Sequence, residues 1–296
     1  MEPIRFLVCD QLTERVTLYD TERMRGTDLD SGEIWSFPAG HTAGLKYREG
    51  SVFGDVILIA GRTCQMVSYP SGEILWKTEQ GGNNSHSIEL LPSGNLIVAN
   101  SDGNSLRFFT TAALKSGGEI SFTDLPLQGA HGVLWDPEYG LLWALGHASL
   151  TAYRICGTGR EESLAEAVSV PLPTDWPGGH NLSPDLTDKE ALWVSTNRGL
   201  LRFQKETQTF SPEFSGAEAL PSSFLKSLDN DPKGRFLYCA SNFGRDRPWK
   251  DWWKASWLSD RITVLTKSGT EGFCKTELIS EKGAFYKCRL FFGRYL

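Results

Sequence analysis

Short apolar runs separated by tight turns recur along the whole chain. Residues 87–91 form one such run, which ends at the turn 92–95 (Pro-Ser-Gly-Asn) and leads into a second run at 96–99. Short stretches rich in aliphatic and aromatic residues, bounded by Gly, Pro, Asn and Asp, are typical of strands joined by hairpins. The pattern predicts a protein made almost entirely of short antiparallel strands.

A histidine stands at the start of three of these hairpins, at His86, His131 and His180. The separations are 45 and 49 residues, and each interval holds enough strand-like segments for a four-stranded sheet. A repeat of forty to fifty residues with four strands is typical of a β-propeller blade. The chain is therefore predicted to be a propeller.

The number of blades follows from the two ends of the sequence. Residues 4–37 supply three strands that lack an innermost partner, and residues 285–291 supply one strand with inner-strand character. Pairing the two segments would close the ring and remove the open sheet edges. We therefore predict an all-β, six-bladed β-propeller in which the N-terminal strands pair with the C-terminal strand. Residues 1–296 would form a single domain.

Counting back from the second strand of each hairpin predicts which residue begins each inner strand. Inner strands line the central channel, so these residues should converge on one of its mouths. Half of them are histidines and half are lysines: Lys46, His86, His131, His180, Lys226 and Lys287. Two arginines, Arg48 and Arg289, stand two residues beyond a lysine and so share its strand face.

This set of residue types suits two kinds of ligand. Neutral imidazoles on three consecutive blades can hold one divalent metal ion, such as Mn, Zn or Ca, with open positions for a ligand. The facing lysines and arginines can receive a carboxylate or a phosphate. A structural interpretation stays open beside this, because propeller repeats such as WD40 place Gly-His before a strand for packing reasons. Gly40–His41 and Gly179–His180 are such pairs.

A tryptophan-rich insertion at residues 243–260 interrupts the fifth blade. Trp249 and Trp253 lie in it among arginines and lysines, a mixture that suits stacking on sugar rings and contacts to acidic groups. The same tryptophans would also suit a lid that packs on the propeller. Both interpretations stay open at this point.

Charge and hydropathy exclude some partners. The net charge of −6 gives no reason to expect a nucleic acid, and no apolar run is long enough to span a membrane. The first residues lead directly into a strand and lack the pattern of a signal peptide. We expect a cytoplasmic protein, with secretion open if a leader has been removed.

The chain resembles an uncharacterised bacterial and fungal group of six-bladed propellers. The resemblance is carried by the opening Val8-Cys9-Asp10-Gln11, the repeated histidines, and the closing Tyr286-Lys287-x-Arg289. A weaker similarity links it to propeller polysaccharide lyases such as oligogalacturonate lyase, which hold a divalent metal with histidines at the propeller mouth. That similarity implies a metal at His86, His131 and His180, although likeness of fold does not fix activity.

The sequence thus leads to two functional hypotheses. In the first, the protein binds an anionic carbohydrate at the channel mouth and acts as a metal-assisted lyase, or a hydrolase, on acidic oligosaccharides. Lys226 or Lys287 would be the base. The substrate would be held by the remaining cations and two tryptophans: Lys46, Arg48, Arg289, Trp249 and Trp253. In the second, the propeller is a non-catalytic scaffold that binds a small anion or a protein partner.

Overall fold

In a computed structural model, residues 2–241, 257–269 and 272–293 are described, and they contain 24 strands arranged in six four-stranded antiparallel sheets. The protein is a six-bladed β-propeller, as the sequence predicts. Helical structure in these residues consists of four short 3-10 turns, at Leu29–Gly32, Thr111–Ser116, Gly159–Glu161 and Ala217–Ala219. None of the helices described has the length and hydropathy needed to cross a bilayer.

Each blade is a sheet whose strands follow one another from the channel outward, except in the blade that closes the ring. The first and second blades contain β4 (Thr42–Ser51), β5 (Gly54–Gly61), β6 (Cys64–Ser68), β7 (Ile74–Thr78), β8 (Ser85–Leu90), β9 (Leu96–Asn100), β10 (Ser105–Phe109) and β11 (Phe122–Pro126). The third and fourth contain β12 (Gly132–Asp136), β13 (Leu141–Leu145), β14 (Ser149–Cys156), β15 (Ser163–Pro171), β16 (Asn181–Pro184), β17 (Ala191–Thr196), β18 (Gly199–Gln204) and β19 (Thr209–Ser211).

The fifth and sixth blades complete the ring. The fifth contains β20 (Leu225–Asn230), β21 (Phe236–Ala240), β22 (Arg261–Ser268) and β23 (Gly272–Ile279). The sixth has the order β24-β1-β2-β3, with bounds Phe285–Leu290, Arg5–Asp10, Arg15–Asp20 and Glu33–Pro38. The C-terminal strand therefore pairs with the first strand of the chain, in antiparallel register with Cys288 opposite Val8. The predicted closure is confirmed.

The hydrophobic core lies between neighbouring blades. The second strand of each blade is almost wholly apolar and buried, because both of its faces are covered by adjacent sheets. Between the first two blades, Val56 and Leu58 pack against Ile88, Leu96 and Val98, and all five are fully buried. Burying a large aliphatic side chain contributes about 1.5–3 kcal/mol, so these layers hold adjacent blades together.

The innermost strand of each blade has one edge with no strand beside it. Unpaired backbone groups there need partners, and side chains from the preceding blade supply them. The Ser87 hydroxyl accepts a hydrogen bond from the Val133 amide at 3.2 Å, and the Glu89 carboxylate accepts one from the Trp135 amide at 3.0 Å. The inner strands are therefore linked through side chains and not through a ladder.

The same arrangement recurs between the fifth and sixth blades. The Ser227 hydroxyl accepts from the Cys288 amide at 2.9 Å, and the Asp229 carboxylate accepts from the Leu290 amide at 2.8 Å. Arg289 donates to Asp229 at 2.7 Å across the same junction. At both junctions, a serine and the acid two residues after it on one inner strand hold the inner strand of the next blade in place.

Glu89 is the centre of the charged network in the channel. It is fully buried, and it accepts two hydrogen bonds from Arg48 at 2.8 and 2.6 Å and one from Lys46 Nζ at 2.7 Å. Burial alone would raise the pKa of Glu89, but the charges of Arg48 and Lys46 outweigh it and hold the pKa below its ordinary value. Lys46 also donates to the carbonyl of Val133, so it joins three blades.

Replacing Glu89 with Gln is expected to lower the free energy of unfolding by about 3–5 kcal/mol, because it leaves Lys46 and Arg48 buried without a counter-charge. Urea unfolding followed by tryptophan fluorescence measures this. The matched control is Glu138→Gln, whose ion pair with Lys189 is exposed to solvent and should contribute little to stability. Equal losses in the two variants would contradict a stabilising role for the buried carboxylate.

Candidate functional site

A one-residue irregularity marks the point where the inner strands begin. His86 falls between the pairs Ser85–Asn100 and Ser87–Ala99, so it is an extra residue relative to the partner strand. A bulge of this kind changes the direction of a side chain at a strand end. The same shift occurs in the first, fifth and sixth blades, where the extra residues are Ala43, Lys226 and Tyr286.

His131 and His180 occupy the matching place in the third and fourth blades. Each lies directly before its inner strand and donates its amide hydrogen to the second strand, to Leu145 and Ser195, at 2.8 Å. Six residues therefore stand at the start of the inner strands, each within one position of the strand's first residue, and we call them the mouth ring: Ala43, His86, His131, His180, Lys226 and Tyr286.

Four of the six predicted members of this ring are placed as expected, and two are not. The prediction was wrong for Lys46, which lies three residues beyond Ala43, and for Lys287, which lies one residue beyond Tyr286. In the first blade the reason is the hairpin itself: β4 runs for ten residues and turns late, at Ser51–Gly54, so counting back from β5 stops too soon.

The mouth ring opens into a cavity of about 460 Å³. Side chains from inner strands, from loops and from the end of the insertion line it: Gln11, His41, Ala43, Asn84, His86, Ser101, His131, Lys226, Trp257 and Tyr286. In the part of the chain described, this lining contains aromatic rings, amides and imidazoles but no carboxylate. The cavity is polar, and among the described residues that line it Lys226 supplies the charge.

The three histidines are in contact with one another. The His86 and His131 rings are stacked, with centroids 4.2 Å apart and planes at 19°, and the His180 ring meets His131 edge-on at 5.4 Å. His131 Nδ1 lies 2.8 Å from the carbonyl oxygen of Gly129, which can only accept, so Nδ1 carries the hydrogen and Nε2 holds a lone pair.

His180 has the opposite tautomer. Its Nε2 lies 2.6 Å from Asn197 Oδ1 and donates to it, which leaves the lone pair on Nδ1. That Nδ1 is buried and finds no hydrogen-bond partner among the residues described. A buried polar atom without a partner is costly, so the atom is suited to meet a ligand.

Burial keeps these imidazoles neutral near pH 7. Burial and the nearby charge of Lys287 together lower the pKa of His131 to about 4. Burial also takes the pKa values of His86 and His180 well below 6.5, with the neighbouring His131 and Lys226 adding to the effect. Neutral imidazoles can accept a proton, donate a hydrogen bond or bind a metal ion.

Lys226 differs from the other lysines of the inner strands. It is 7% exposed, and burial lowers its pKa to about 8. Its Nζ lies 5.9 Å from the centroid of the Tyr286 ring, and no described residue forms a hydrogen bond or an ion pair with it. By contrast, Lys287 donates to the carbonyls of His86 and His180 at 3.1 and 2.9 Å, which links three blades across the channel.

Tyr286 and Trp257 add aromatic surface to the cavity. The Tyr286 hydroxyl lies 3.3 Å from His86 Nδ1, so these two side chains share a hydrogen bond. Trp257 is placed by its neighbour Ser259, whose backbone pairs with Phe285 at the start of β24. The far end of the predicted insertion thus returns to the mouth. Trp249 and Trp253 lie outside the described residues, and their role in substrate binding stays a prediction.

The residues predicted to bind substrate or metal are therefore divided between two levels of the channel. Lys226 and the three histidines share the mouth, whereas Lys46, Arg48 and Arg289 lie deeper and have acidic partners. Within the part of the chain described, no group of three His, Cys, Asp or Glu side chains has the spacing of a metal site. A metal held by His86, His131 and His180 stays a prediction.

Sequence reasoning missed the two acids that pair with these cations, and it missed Tyr286 and Ala43. Glu89 and Asp229 each stand three residues after a member of the mouth ring, within otherwise apolar strands. An acid repeated at one position of two inner strands was a usable signal. Alanine gives no such signal.

Comparison with known proteins places the chain in a family. The sequence profile described as "Family of unknown function (DUF6528)" matches residues 57–277. The chain belongs to this family. The match begins within β5 and ends within β23, so it includes the three histidines and Lys226. A search of curated proteins found no match.

Two solved structures are similar to this chain in fold. A protein of unknown function from Bacteroides caccae has 14% sequence identity and a TM-score of 0.63, with 97% of this chain and 98% of the other covered. A candidate 6-phosphogluconolactonase from Bacteroides fragilis has 10% identity and a TM-score of 0.56, with the same coverage. At these identities the likeness concerns the fold alone.

Acid should destabilise the protein through the buried histidines. The folded-state pKa of His131 is about 4 and the ordinary value is 6.5. Between these two pH values the unfolded state binds more protons than the folded state. The contribution of His131 to the free energy of unfolding is therefore fully present above about pH 6.5, and it is lost as the pH drops toward 4. We expect His131→Gln to flatten this dependence, as measured by urea unfolding between pH 4 and 7. His147→Gln, outside the cluster, is the control, and an unchanged slope in His131→Gln would refute the assignment.

Proposed function

We propose that the protein binds a small anionic carbohydrate in the cavity at the mouth ring. The observation that carries the proposal is Lys226, a buried lysine that faces a polar cavity and has no acidic partner among the described residues. Desolvating an ammonium group without a counter-charge is unfavourable. A carboxylate or phosphate of a ligand would supply that charge.

The distribution of charge along the channel supports an anion at this end. Deeper in the channel, Lys46 and Arg48 share Glu89, and Arg289 pairs with Asp229. Lys226 has no acidic partner among the residues described, so the mouth of the channel carries a cation without a counter-charge. In a site of low dielectric such a cation attracts anions strongly.

The rest of the cavity lining suits a sugar. Trp257 and Tyr286 offer aromatic faces on which sugar rings stack, and the side chains of Gln11, Asn84 and Ser101 can exchange hydrogen bonds with hydroxyl groups. The candidate 6-phosphogluconolactonase of similar fold is named for an anionic sugar derivative. That name agrees with the class of ligand proposed here.

A metal-assisted lyase on acidic oligosaccharides is the catalytic form of this proposal. It is favoured by the lone pairs on His131 Nε2 and His180 Nδ1, which could take part in binding a divalent Mn, Zn or Ca ion together with His86. Such an ion would neutralise the carboxylate of a uronate. Lys226 would be the base, with a pKa of about 8 that leaves part of the amine neutral. The two carbonyl bonds of Lys287 favour a structural role for it.

Replacing Lys226 with Ala should weaken the binding of galacturonate by about ten- to a hundredfold, since a hydrogen bond to a charged group contributes roughly 1.5–3 kcal/mol. Lys226→Arg should keep most of the affinity because it keeps the charge. Isothermal titration calorimetry with galacturonate and with neutral galactose measures both effects. Lys115→Ala, at an exposed position of the turn Thr111–Ser116, is the control. Equal affinity for both sugars, or no binding of either, would reject the anionic carbohydrate and favour a scaffold that binds proteins.

The metal hypothesis has its own test. Elemental mass spectrometry of the purified protein should find about one equivalent of a divalent metal, and a folded His86→Ala, His131→Ala variant should lose it. The control is His147→Ala. Absence of metal, with no uptake after Mn, Zn or Ca is added, would remove the metal from the proposal while leaving the anion site in place.

A further inference from the structure

The inner strands carry several lysines, but their amines are in different situations. Lys46 Nζ is engaged by Glu89 and the Val133 carbonyl, and Lys287 Nζ by the carbonyls of His86 and His180. Lys226 Nζ has no hydrogen-bond partner among the described residues, although the residue is 7% exposed and lines the cavity. A primary amine held in a cavity without an acid beside it is arranged as a nucleophile, because its lone pair is not committed elsewhere.

We propose that Lys226 forms an imine with the carbonyl carbon of a small oxo acid, a ligand that carries an aldehyde or ketone next to or near its carboxylate. This inference rests on the proposed function, because it places the same class of anionic ligand in the same cavity. It adds a covalent step and a narrower class of substrate, which includes open-chain sugar acids.

The chemistry is balanced without a further reagent. The neutral Nζ attacks the carbonyl carbon and forms a C–N bond, while the carbonyl oxygen takes a proton and becomes the hydroxyl of a carbinolamine. That hydroxyl then leaves as water with a second proton, and the nitrogen loses its remaining hydrogens to become the C=N nitrogen. One amine and one carbonyl give one imine and one water, with no oxidation or reduction.

The surroundings of Lys226 suit both proton transfers. The Tyr286 hydroxyl shares a hydrogen bond with His86 Nδ1 in the same cavity, so this pair can give a proton to the departing oxygen and recover one from the nitrogen. His131 Nε2 holds a lone pair in the same cavity. Among the described residues that line the cavity there is no carboxylate to hold Lys226 permanently as an ammonium ion.

The low pKa of Lys226 favours its reaction over that of the surface lysines. With a pKa of about 8, roughly one amine in ten is neutral at pH 7. An ordinary exposed lysine has a pKa of about 10.4, and its neutral fraction is about two orders of magnitude smaller. Under brief treatment, Lys226 should therefore react well before the lysines of the surface.

Reductive trapping tests the proposal. The full chain is incubated briefly at pH 7 with pyruvate or glyoxylate and sodium cyanoborohydride, which transfers a hydride to the imine carbon and converts it to a stable secondary amine. Intact-mass spectrometry should show one adduct, and peptide mapping should place it on Lys226. Lys226→Arg should give at least a tenfold lower yield, whereas Lys115→Arg should react like the wild type.

Several outcomes would overturn the inference: no adduct with either oxo acid, adducts spread over surface lysines, or an unchanged yield in Lys226→Arg. Peptide mapping of the wild type locates the adduct even if the variant fails to fold. The test is separate from that of the proposed function, because Lys226→Arg keeps the charge that binds galacturonate. Galacturonate binding without trapping would remove only the imine, and trapping without galacturonate binding would remove only the sugar ligand.

Discussion

The open edge of each innermost strand is the constraint on which the channel depends. A four-stranded blade leaves backbone amides facing the channel, and burial makes an unsatisfied amide costly. Here Ser87 and Glu89 reach across to the third blade, and Ser227 and Asp229 reach across to the sixth. Placing acids there creates a second demand, because a buried carboxylate needs a cation. Arg48, Lys46 and Arg289 meet that demand, so the charged network follows from the geometry of the edges.

The charged side chains are therefore distributed unevenly along the channel. Its deeper part contains paired ions, whereas its mouth contains neutral imidazoles and one lysine without an acidic partner among the described residues. Lys287 separates the two levels by joining the strands of three blades. The close approach of these strands is visible at Gly44, where a Cβ atom would lie 2.2 Å from the carbonyl oxygen of His86. The floor of the cavity is therefore formed by backbone and by the Lys287 side chain. The strands are too close there to accommodate larger side chains.

The fold was largely predictable from sequence because its signals are local. Apolar runs and turn residues predicted three strands in residues 4–37, where β1 and β2 lie, and the unpaired segment at 285–291 predicted the closing strand. The mouth ring was predictable where the hairpins have similar lengths, at His86, His131, His180 and Lys226. The prediction was wrong at Lys46 because β4 and its turn are longer than the corresponding hairpins of other blades. The pairing of Arg48 with Glu89 joins residues 41 positions apart, and no local pattern contains such a distance.

The sixth blade links the site to the closing of the ring. Tyr286 and the Lys287 bridge both belong to β24, which is held by β1 from the opposite end of the described chain. Before β24 docks, the mouth lacks one of its six side chains and its floor has no lysine. A ligand that needs the complete mouth binds only the closed ring, and it stabilises closure by mass action. Ligand binding in the cavity and closure of the ring are thus coupled equilibria.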